Sequence, residues 1–231
     1  MRIKWFPRSW VQIKTDKYII YFDPSYMSTY YKKLKSKVIF SDKEDDILPE
    51  MLESADLILI SHIHRDHCKK ETINRLLHSE TSVFAPDKIE SDINIKFRLV
   101  RPDNSYLLDD IIIKTTFAYN TEQGSSTKKV HKKGSCVGYV LTVENRNIYF
   151  AGDTDLIPEM NKLKNIDIAF LPIGGTFTMS LEEAVQAARI INAGITIPIH
   201  HLESDPYRFK RELEYNGMAV KVLSIGEEMF L

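Results

Sequence analysis

The segment His62-Ile63-His64-Arg65-Asp66-His67 concentrates side chains that can bind a metal ion. It directly follows residues 57–60, a short apolar run that is typical of a buried strand. On extended backbone, side chains two residues apart point the same way, so His62, His64 and Asp66 can converge while the last histidine points toward a neighbouring position. Imidazole and carboxylate ligands together favour zinc, manganese or iron over calcium or magnesium. The segment therefore predicts a site for such a metal at the end of a strand.

The number of candidate ligands in this segment favours two metals over one. Four potential ligands lie within six residues, whereas a catalytic zinc usually has three protein ligands and one position open for water. The competing interpretation is a solvated loop in which histidines are grouped by chance. It is weak, because three of the seven histidines of the chain fall in this one segment.

Composition limits the partners that the chain can have. The 231 residues carry 31 basic and 32 acidic side chains, so no net field attracts nucleic acid or a membrane surface. We therefore expect no membrane partner, and nucleic acid is disfavoured as a partner. The N-terminal residues lack the apolar stretch of a signal peptide, and the apolar runs are too short to cross a bilayer. We expect a cytoplasmic protein, and the sequence gives no indication of its oligomeric state.

The two cysteines, Cys68 and Cys136, lie next to candidate ligand segments. They are far apart in sequence and give no indication of a disulfide framework. Each could be a thiolate ligand, but a small core residue is the favoured interpretation.

Apolar patterns predict the strands that must position the cluster, and the order of these strands occurs twice. In each half an apolar strand runs into an aspartate, a second short apolar run follows, and a loop and a helix lead to a closing strand. The paired segments are residues 18–23 and 147–153, residues 56–60 and 167–171, and residues 82–86 and 196–200. Their spacing is unequal, so this is a repeated order of elements and not a tandem repeat.

Capping residues and apolar stripes predict the helices. Ser180 and Glu183 form the pattern of a capping box at the start of an amphipathic helix, and Gly194 has the favoured position for its C-terminal end. A shorter stripe of Ile73, Leu76 and Leu77 predicts a helix soon after the histidine cluster.

These elements predict the fold class. Two β-rich halves, each with helices on one side only, indicate an α/β fold with four layers, an αββα sandwich. Residues 120–134 are the most loop-like segment, and we interpret them as a connection within one domain and not as a linker. The prediction is a single domain of residues 1–231 with two halves, about 1–120 and 121–231. The active site would lie where loops from both halves follow their strands.

The histidine segment after its apolar strand resembles the signature of the metallo-β-lactamase superfamily, whose fold is this sandwich. Further stretches are similar to the branch that contains ascorbate-6-phosphate lactonase-like proteins, many of which are described only as predicted zinc-dependent hydrolases. These stretches are residues 148–155, 171–179 and 197–200. The resemblance covers residues 62–200, most of the chain.

The resemblance implies a complete set of metal ligands. One metal would bind His62, His64 and His131, a second would bind Asp66, His67 and His200, and Asp153 would lie between them.

Three of these positions have alternatives. Asp153 follows a strand and could be a turn residue. His131 lies in a lysine-rich loop, where a solvated histidine is the competing interpretation. His200 competes with His201; the Pro-x-His spacing of the family favours His200, and we interpret His201 and His78 as structural or exposed.

Two residues near the N-terminus bear on the same site. The branch usually has Gly-His after its first strand, where this chain has Pro7-Arg8. Metal binding is not affected, because that histidine is not normally a ligand, but arginine is a permanent cation and cannot act as a base. Asp23 could orient a histidine ligand, and a plain turn is an equal alternative.

The predicted function is metal-dependent hydrolysis. A hydroxide that bridges two divalent metals, zinc first and manganese or iron as alternatives, would attack a small, anionic ester, lactone or phosphodiester. Asp66 would orient the hydroxide as well as bind metal. Two other functions remain open: a nucleic-acid phosphodiesterase, and a metal-binding or sensory protein without turnover.

The expected partner is a small-molecule substrate that carries a phosphate or another anionic group. Arg8, Arg65 and Lys132 are the candidate substrate-binding residues. Lysines flank His131 on both sides, at positions 128, 129, 132 and 133, and would form a basic rim. The alternative is that these lysines only keep a loop soluble.

Overall fold

The computed structural model describes residues 1–26, 52–87 and 96–231. The chain forms two compact units: Met1–Leu99 with Leu223–Leu231, and Val100–Val222. The predicted single domain with halves near residue 120 stays a prediction. Residues 120–134 lie wholly inside the second unit and do not separate the two.

The first unit is built on one mixed sheet. In the part of the chain that the structure describes, its seven strands are β1 (Arg2–Trp5), β2 (Val11–Lys14), β3 (Ile19–Phe22), β4 (Leu57–Leu59), β5 (Ser82–Ala85), β6 (Lys96–Leu99) and β13 (Glu228–Phe230). Their order is β13-β1-β2-β3-β4-β5-β6. The pairs from β13 to β3 are antiparallel, and the pairs from β3 to β6 are parallel.

The buried strands of this sheet explain the apolar runs in the sequence. β4 is buried at every residue, as a parallel strand with neighbours on both sides requires. Helix α1 (Lys70–Leu76) connects β4 to β5 and buries Ile73 and Leu76, as the apolar stripe predicts. A cluster of aromatic and aliphatic side chains fills the core on this side, with Trp10, Tyr21 and Ile58 among its fully buried members.

The second unit is built on a sheet of six strands within the described residues. They are β7 (Ser105–Leu108), β8 (Ile111–Ala118), β9 (Cys136–Val143), β10 (Arg146–Phe150), β11 (Ile168–Pro172) and β12 (Ile195–Ile199). The spatial order follows the chain order. β7 to β10 pair antiparallel, and β10 to β12 pair parallel. A 3-10 helix (Pro158–Lys162), α2 (Leu181–Ile191) and α3 (Pro206–Glu214) complete this unit.

The repeated order of elements is visible in both sheets. All six segments that the sequence pairs form strands, and each sheet contains three of them in parallel and in chain order. In each sheet the first of these three strands runs into an aspartate, Asp23 after β3 and Asp153 after β10. The loops after parallel strands meet at one edge of a sheet, which is where candidate ligands are found.

Helix α2 confirms the predicted start and corrects the predicted end. The Ser180 side chain accepts a hydrogen bond from the Glu183 backbone N–H at 3.3 Å, as an N-cap does. The Glu183 carboxylate bonds to Ser125 instead of completing the capping box. The left-handed residue after the helix is Asn192, with φ 49°, and not Gly194 as the sequence predicts. Glycine is needed at position 194 because the backbone there lies close to Asp167. A Cβ at this position would lie 2.9 Å from the Asp167 carbonyl oxygen.

None of the helices within the described ranges combines the length and the apolar composition needed to cross a lipid bilayer.

Candidate metal centre

In the first unit, candidate residues follow the neighbouring parallel strands β3 and β4. Phe22 pairs with Leu59, so the residues after each strand leave the same edge of the sheet. The Asp23 backbone N–H donates to the Leu59 carbonyl at 3.0 Å and extends this pairing by one residue. Asp23 has φ 44°, a left-handed conformation that turns the chain away from the sheet directly after the strand.

The Asp23 carboxylate organises the histidine segment. It is fully buried, and its Oδ1 accepts the Ser61 backbone N–H at 2.6 Å. Its Oδ2 lies 2.7 Å from Nδ1 of His67 and also accepts the Ser61 hydroxyl. That hydroxyl in turn lies 2.9 Å from Nδ1 of His62. Asp23 therefore contacts one histidine directly and a second through Ser61. This is the orienting role that the sequence could not distinguish from a plain turn.

This arrangement fixes which ring nitrogen is available to a metal. Because the Ser61 hydroxyl donates to Asp23, its oxygen accepts from Nδ1–H of His62, and Asp23 accepts from Nδ1–H of His67. In the neutral form of both rings, Nε2 is then the unprotonated nitrogen. Burial raises the pKa of the Asp23 carboxyl, and the hydrogen bonds from His67 and Ser61 oppose that rise.

The segment after His64 is a turn and not the extended backbone that the sequence predicts. The backbone N–H groups of His67 and Cys68 both donate to the His64 carbonyl, at 2.9 and 2.8 Å. The turn brings the His67 ring to 4.1 Å from the His62 ring, and the His64 ring lies 4.7 Å from His62. His67 therefore approaches His62 because the chain folds back after His64, and the predicted extended backbone from His64 to Asp66 was wrong. His62 and His67 are buried, and His64 is exposed.

Asp66 is the half-buried member of the segment, and Arg8 faces it. Asp66 Oδ2 lies 3.9 Å from Nε2 of His67 and 3.8 Å from Nε of Arg8. Arg8 has φ 67°, a strained conformation for a residue with a side chain, and Trp5 Nε1 donates to its carbonyl at 3.0 Å. This bond holds the turn that directs the guanidinium toward Asp66.

In the second unit, the three remaining candidate ligands come together. Nε2 of His131 lies 3.7 Å from Asp153 Oδ2, and Nε2 of His200 lies 3.6 Å from the same oxygen. All three side chains are buried. Nδ1 of His131 lies 3.2 Å from the Phe177 carbonyl oxygen, so it carries the proton and leaves Nε2 to face Asp153. The solvated-loop interpretation of His131 does not agree with this burial.

The neighbouring histidine, His201, has a structural role. Its Nε2 donates to the Pro198 carbonyl at 2.8 Å, and burial lowers its pKa to about 4. The ring is therefore neutral at pH 7, and its Nε2 is bonded to backbone. His78 is half-exposed, and its Nδ1 accepts the Glu80 backbone N–H at 3.2 Å.

The lysines that flank His131 differ in their contacts. Lys129 Nζ lies 3.1 Å from the buried Asp155 carboxylate, and Lys133 Nζ lies 2.7 Å from Glu159. Lys128 lies over the Phe177 ring, and Lys132 is exposed. Two of the four lysines of the predicted basic rim are therefore in ion pairs, and their charge is largely compensated.

The cysteines agree with their interpretation as small packing residues. Cys136 is buried in β9, and Cys68 packs against the core of the first unit. Burial raises the pKa of the Cys68 thiol to about 12, and the nearby Asp23 adds to this rise. A thiol with this pKa is protonated at neutral pH.

Sequence reasoning missed Asn120 and Asp155, which hold the loop that carries His131. The Asn120 side chain accepts the His131 backbone N–H at 2.9 Å. Asp155 is fully buried two residues after Asp153. A second aspartate so close to a candidate ligand was the available signal.

The donor chemistry fits divalent metal ions of the zinc type. In each unit, neutral imidazole Nε2 atoms and carboxylate oxygens gather at strand ends, and the other nitrogen of three histidines is held by a protein acceptor. Such acceptors orient metal-binding histidines in proteins.

Comparison with known proteins gives consistent matches along the whole chain. A model of the β-lactamase superfamily domain matches residues 2–200. A UPF0173 metal-dependent hydrolase of Bacillus licheniformis is 33% identical over an alignment of 244 residues that covers 99% of both proteins. Another, from Bacillus thuringiensis, is 31% identical over 247 aligned residues and all of both proteins.

Solved structures agree with these matches. A protein of Parabacteroides distasonis, described as a metal-dependent hydrolase, superimposes with a TM-score of 0.78 at 28% identity over 96% of this chain and 92% of that one. Igni18, a metallo hydrolase of Ignicoccus hospitalis, gives a TM-score of 0.72 at 25% identity over 99% and 97% of the chains. The predicted fold class, mixed α/β of the metallo-β-lactamase type with two sheets and few helices, is confirmed. The chain therefore belongs to the β-lactamase superfamily and, within it, to the UPF0173 family of metal-dependent hydrolases.

Proposed function

We propose that the protein is a hydrolase whose two sets of candidate ligands share one centre of two divalent metals. His62 and His64 with His131 hold one metal, and Asp66 and His67 with His200 hold the other. Asp153 is the ligand common to both. Family membership supports this pairing of the ligand sets, and the geometry within each unit supports the individual residues.

One observation carries this proposal. In His62, His67 and His131, Nδ1 contacts a protein acceptor: the Ser61 hydroxyl, the Asp23 carboxylate and the Phe177 carbonyl. In their neutral form these three histidines leave Nε2 available to bind a cation, and two of them face a buried or half-buried carboxylate.

When bound, two such metals would supply a lowered pKa for the attacking water and would polarise the bond that is cleaved. The chain's own residues then have separate roles. Asp66 is more exposed than Asp153 and accepts a hydrogen bond from the attacking water, which orients it. Arg8 lies beside Asp66 and binds an anionic group of the substrate, because its guanidinium carries charge and donors at any physiological pH.

The proposed substrate is a small anionic ester, lactone or phosphodiester. Arg8 supports an anion, and the exposed Arg65 and Lys132 add positive charge beside ligands His64 and His131. Zinc is the proposed metal, with manganese or iron as alternatives, because imidazole and carboxylate donors accept all three.

The test is hydrolysis by purified protein loaded with zinc or manganese. The panel contains a phosphodiester, a lactone, an anionic carboxylic ester and a neutral ester of the same leaving group. His64→Ala is the loss-of-ligand variant, and His78→Ala is its matched control, a histidine of the same unit outside the site. The proposal expects hydrolysis that needs metal, that His64→Ala abolishes and that His78→Ala retains. Equal rates in the two variants, or hydrolysis that persists after chelation, would contradict it.

A further inference from the structure

A buried carboxylate outside the proposed ligand set holds the loop that carries His131. Asp155 is fully buried. Its Oδ2 accepts the Thr121 backbone N–H at 2.9 Å and lies 3.1 Å from Lys129 Nζ, and its Oδ1 accepts the Ser126 backbone N–H at 3.3 Å. All three donors belong to residues 120–134, so one side chain contacts this loop at three points before His131.

The loop is shaped to fit this carboxylate. A Cβ at Gly124 would lie 2.1 Å from Asp155 Oδ2, closer than any side chain can approach. Lys129 Nζ also donates to the Gly124 carbonyl at 2.5 Å and to the Ser126 hydroxyl at 3.0 Å. The ammonium group of Lys129 therefore has three acceptors, which satisfies all three of its N–H donors.

Asn120 connects the part of the loop held by Asp155 to His131. The Asn120 backbone N–H donates to the His131 carbonyl at 2.8 Å, and the His131 backbone N–H donates to Asn120 Oδ1 at 2.9 Å. Asn120 Nδ2 donates to the Ser126 hydroxyl at 3.1 Å and to the Phe177 carbonyl at 2.9 Å. Phe177 offers the same carbonyl to Nδ1 of His131. Ser126 thus connects the Lys129 ion pair to the residue that clamps His131.

Residues 153–155 contact the loop both near its start and at His131. Asp153 lies 3.7 Å from Nε2 of His131, and Asp155, two residues on, receives the loop. A fully buried carboxylate is costly without a counter-charge, so removing Lys129 leaves Asp155 uncompensated and favours opening of the loop.

We propose that the Lys129–Asp155 ion pair is a positioning device for His131, and that Lys129 is not a substrate-attracting cation. The inference rests on the proposed function, in which His131 is a metal ligand. Lys129 and Asp155 act on the metal only through the loop. Losing the ion pair lowers the affinity for the metal that His131 binds, and the other metal is retained.

The experiment compares Lys129→Met with Lys133→Met, a lysine of the same loop whose ion pair is with Glu159 and not with Asp155. Zinc binding is measured by calorimetry and by metal content after gel filtration, and unfolding is measured on the metal-free proteins. We expect Lys129→Met to lose about 10- to 100-fold in affinity at one of two sites, the range seen when partners of metal ligands are removed. Lys133→Met keeps both affinities. Lys129→Arg, which retains the charge, restores most of the loss.

The outcomes separate the two proposals. Suppose the wild type binds two metals and His131→Ala loses one. Wild-type affinity in Lys129→Met would then overturn the inference alone, and so would equal losses in Lys129→Met and Lys129→Arg. A His131→Ala variant that still binds two metals would overturn the proposed ligand set and with it this inference. If Lys129→Met does not fold, Lys129→Gln, with a polar but uncharged head, carries the same test.

Discussion

Oδ2 of Asp23 lies 2.7 Å from Nδ1 of His67, and both side chains are fully buried. The same oxygen accepts the Ser61 hydroxyl, which contacts Nδ1 of His62. A single carboxylate at the end of β3 therefore sets the tautomer of two histidines at the end of β4. This arrangement depends on the parallel pairing of the two strands, since only parallel neighbours deliver their following loops to the same edge.

Asp23→Asn should weaken metal binding without loss of the fold. Asparagine tolerates the left-handed backbone at this position, but it offers one acceptor oxygen where three donors now converge. We expect about 10- to 100-fold lower metal affinity, measured by calorimetry. Asp56→Asn is the matched control, because the Asp56 carboxylate accepts the Ile19 backbone N–H at the other end of β3. Unchanged metal affinity in Asp23→Asn would show that Asp23 does not orient the metal-binding histidines.

His64→Ala and His67→Ala should separate ligand loss from fold loss. His64 is exposed, so its removal leaves no buried cavity, whereas His67 is fully buried and bonded to Asp23. Both variants should lose at least about 100-fold in kcat/KM in metal-replete buffer, because each lacks a ligand of the catalytic metals. Only His67→Ala should also lower the free energy of unfolding of the metal-free protein, measured by denaturant titration. Near-native activity in His64→Ala would exclude it as a ligand.

Arg8→Gln should discriminate against anionic substrates. The guanidinium lies 3.8 Å from Asp66, and a charged hydrogen bond contributes about 1.5–3 kcal/mol, so kcat/KM for an anionic ester should fall by about 10-fold or more. The matched neutral ester should keep its rate. Arg75→Gln, an exposed arginine of α1, serves as control. Equal losses on both esters would show that Arg8 acts through the structure of the turn and not through the substrate's charge.

The basic rim should be smaller than the sequence predicts. Arg65 and Lys132 are exposed, whereas Lys129 and Lys133 pair with Asp155 and Glu159. The double variant Arg65→Gln with Lys132→Gln should reduce kcat/KM for an anionic substrate a few-fold at low salt. The effect should vanish near 1 M salt, where the screening length is about 3 Å. Lys133→Gln alone should leave the salt dependence unchanged, and a larger effect from Lys133→Gln than from the double variant would contradict this assignment.

Sequence patterns predicted the strands that carry the site better than the conformation of the site itself. Continuous apolar runs identify β4 and β11, because buried parallel strands need apolar residues on both faces. The turn after His64 carries no such pattern. It is set by two backbone N–H groups that share the His64 carbonyl and by the buried Asp23, which is distant in sequence.

The hydrogen-bond partners of the candidate ligands could not be predicted for the same reason, because they are distant in sequence. Asp23 was recognised as an aspartate after a strand, but its bond to His67 spans 44 residues. Lys129 looked like a solvated cation, because only the fold shows that it reaches a buried carboxylate 26 residues away. The predicted C-terminal end of α2 was wrong because two residues there have different roles. Asn192 takes the left-handed position, and Gly194 allows close packing against Asp167.

The central proposal is that this chain binds two divalent metals through the seven candidate ligands. The most direct test is the metal content of the purified protein after exposure to excess zinc or manganese and gel filtration, together with Asp153→Ala and His131→Ala. The account predicts two metals per chain in the wild type, loss or weakening of both in Asp153→Ala, and loss of one in His131→Ala. A wild-type stoichiometry of one or less in excess metal would contradict it.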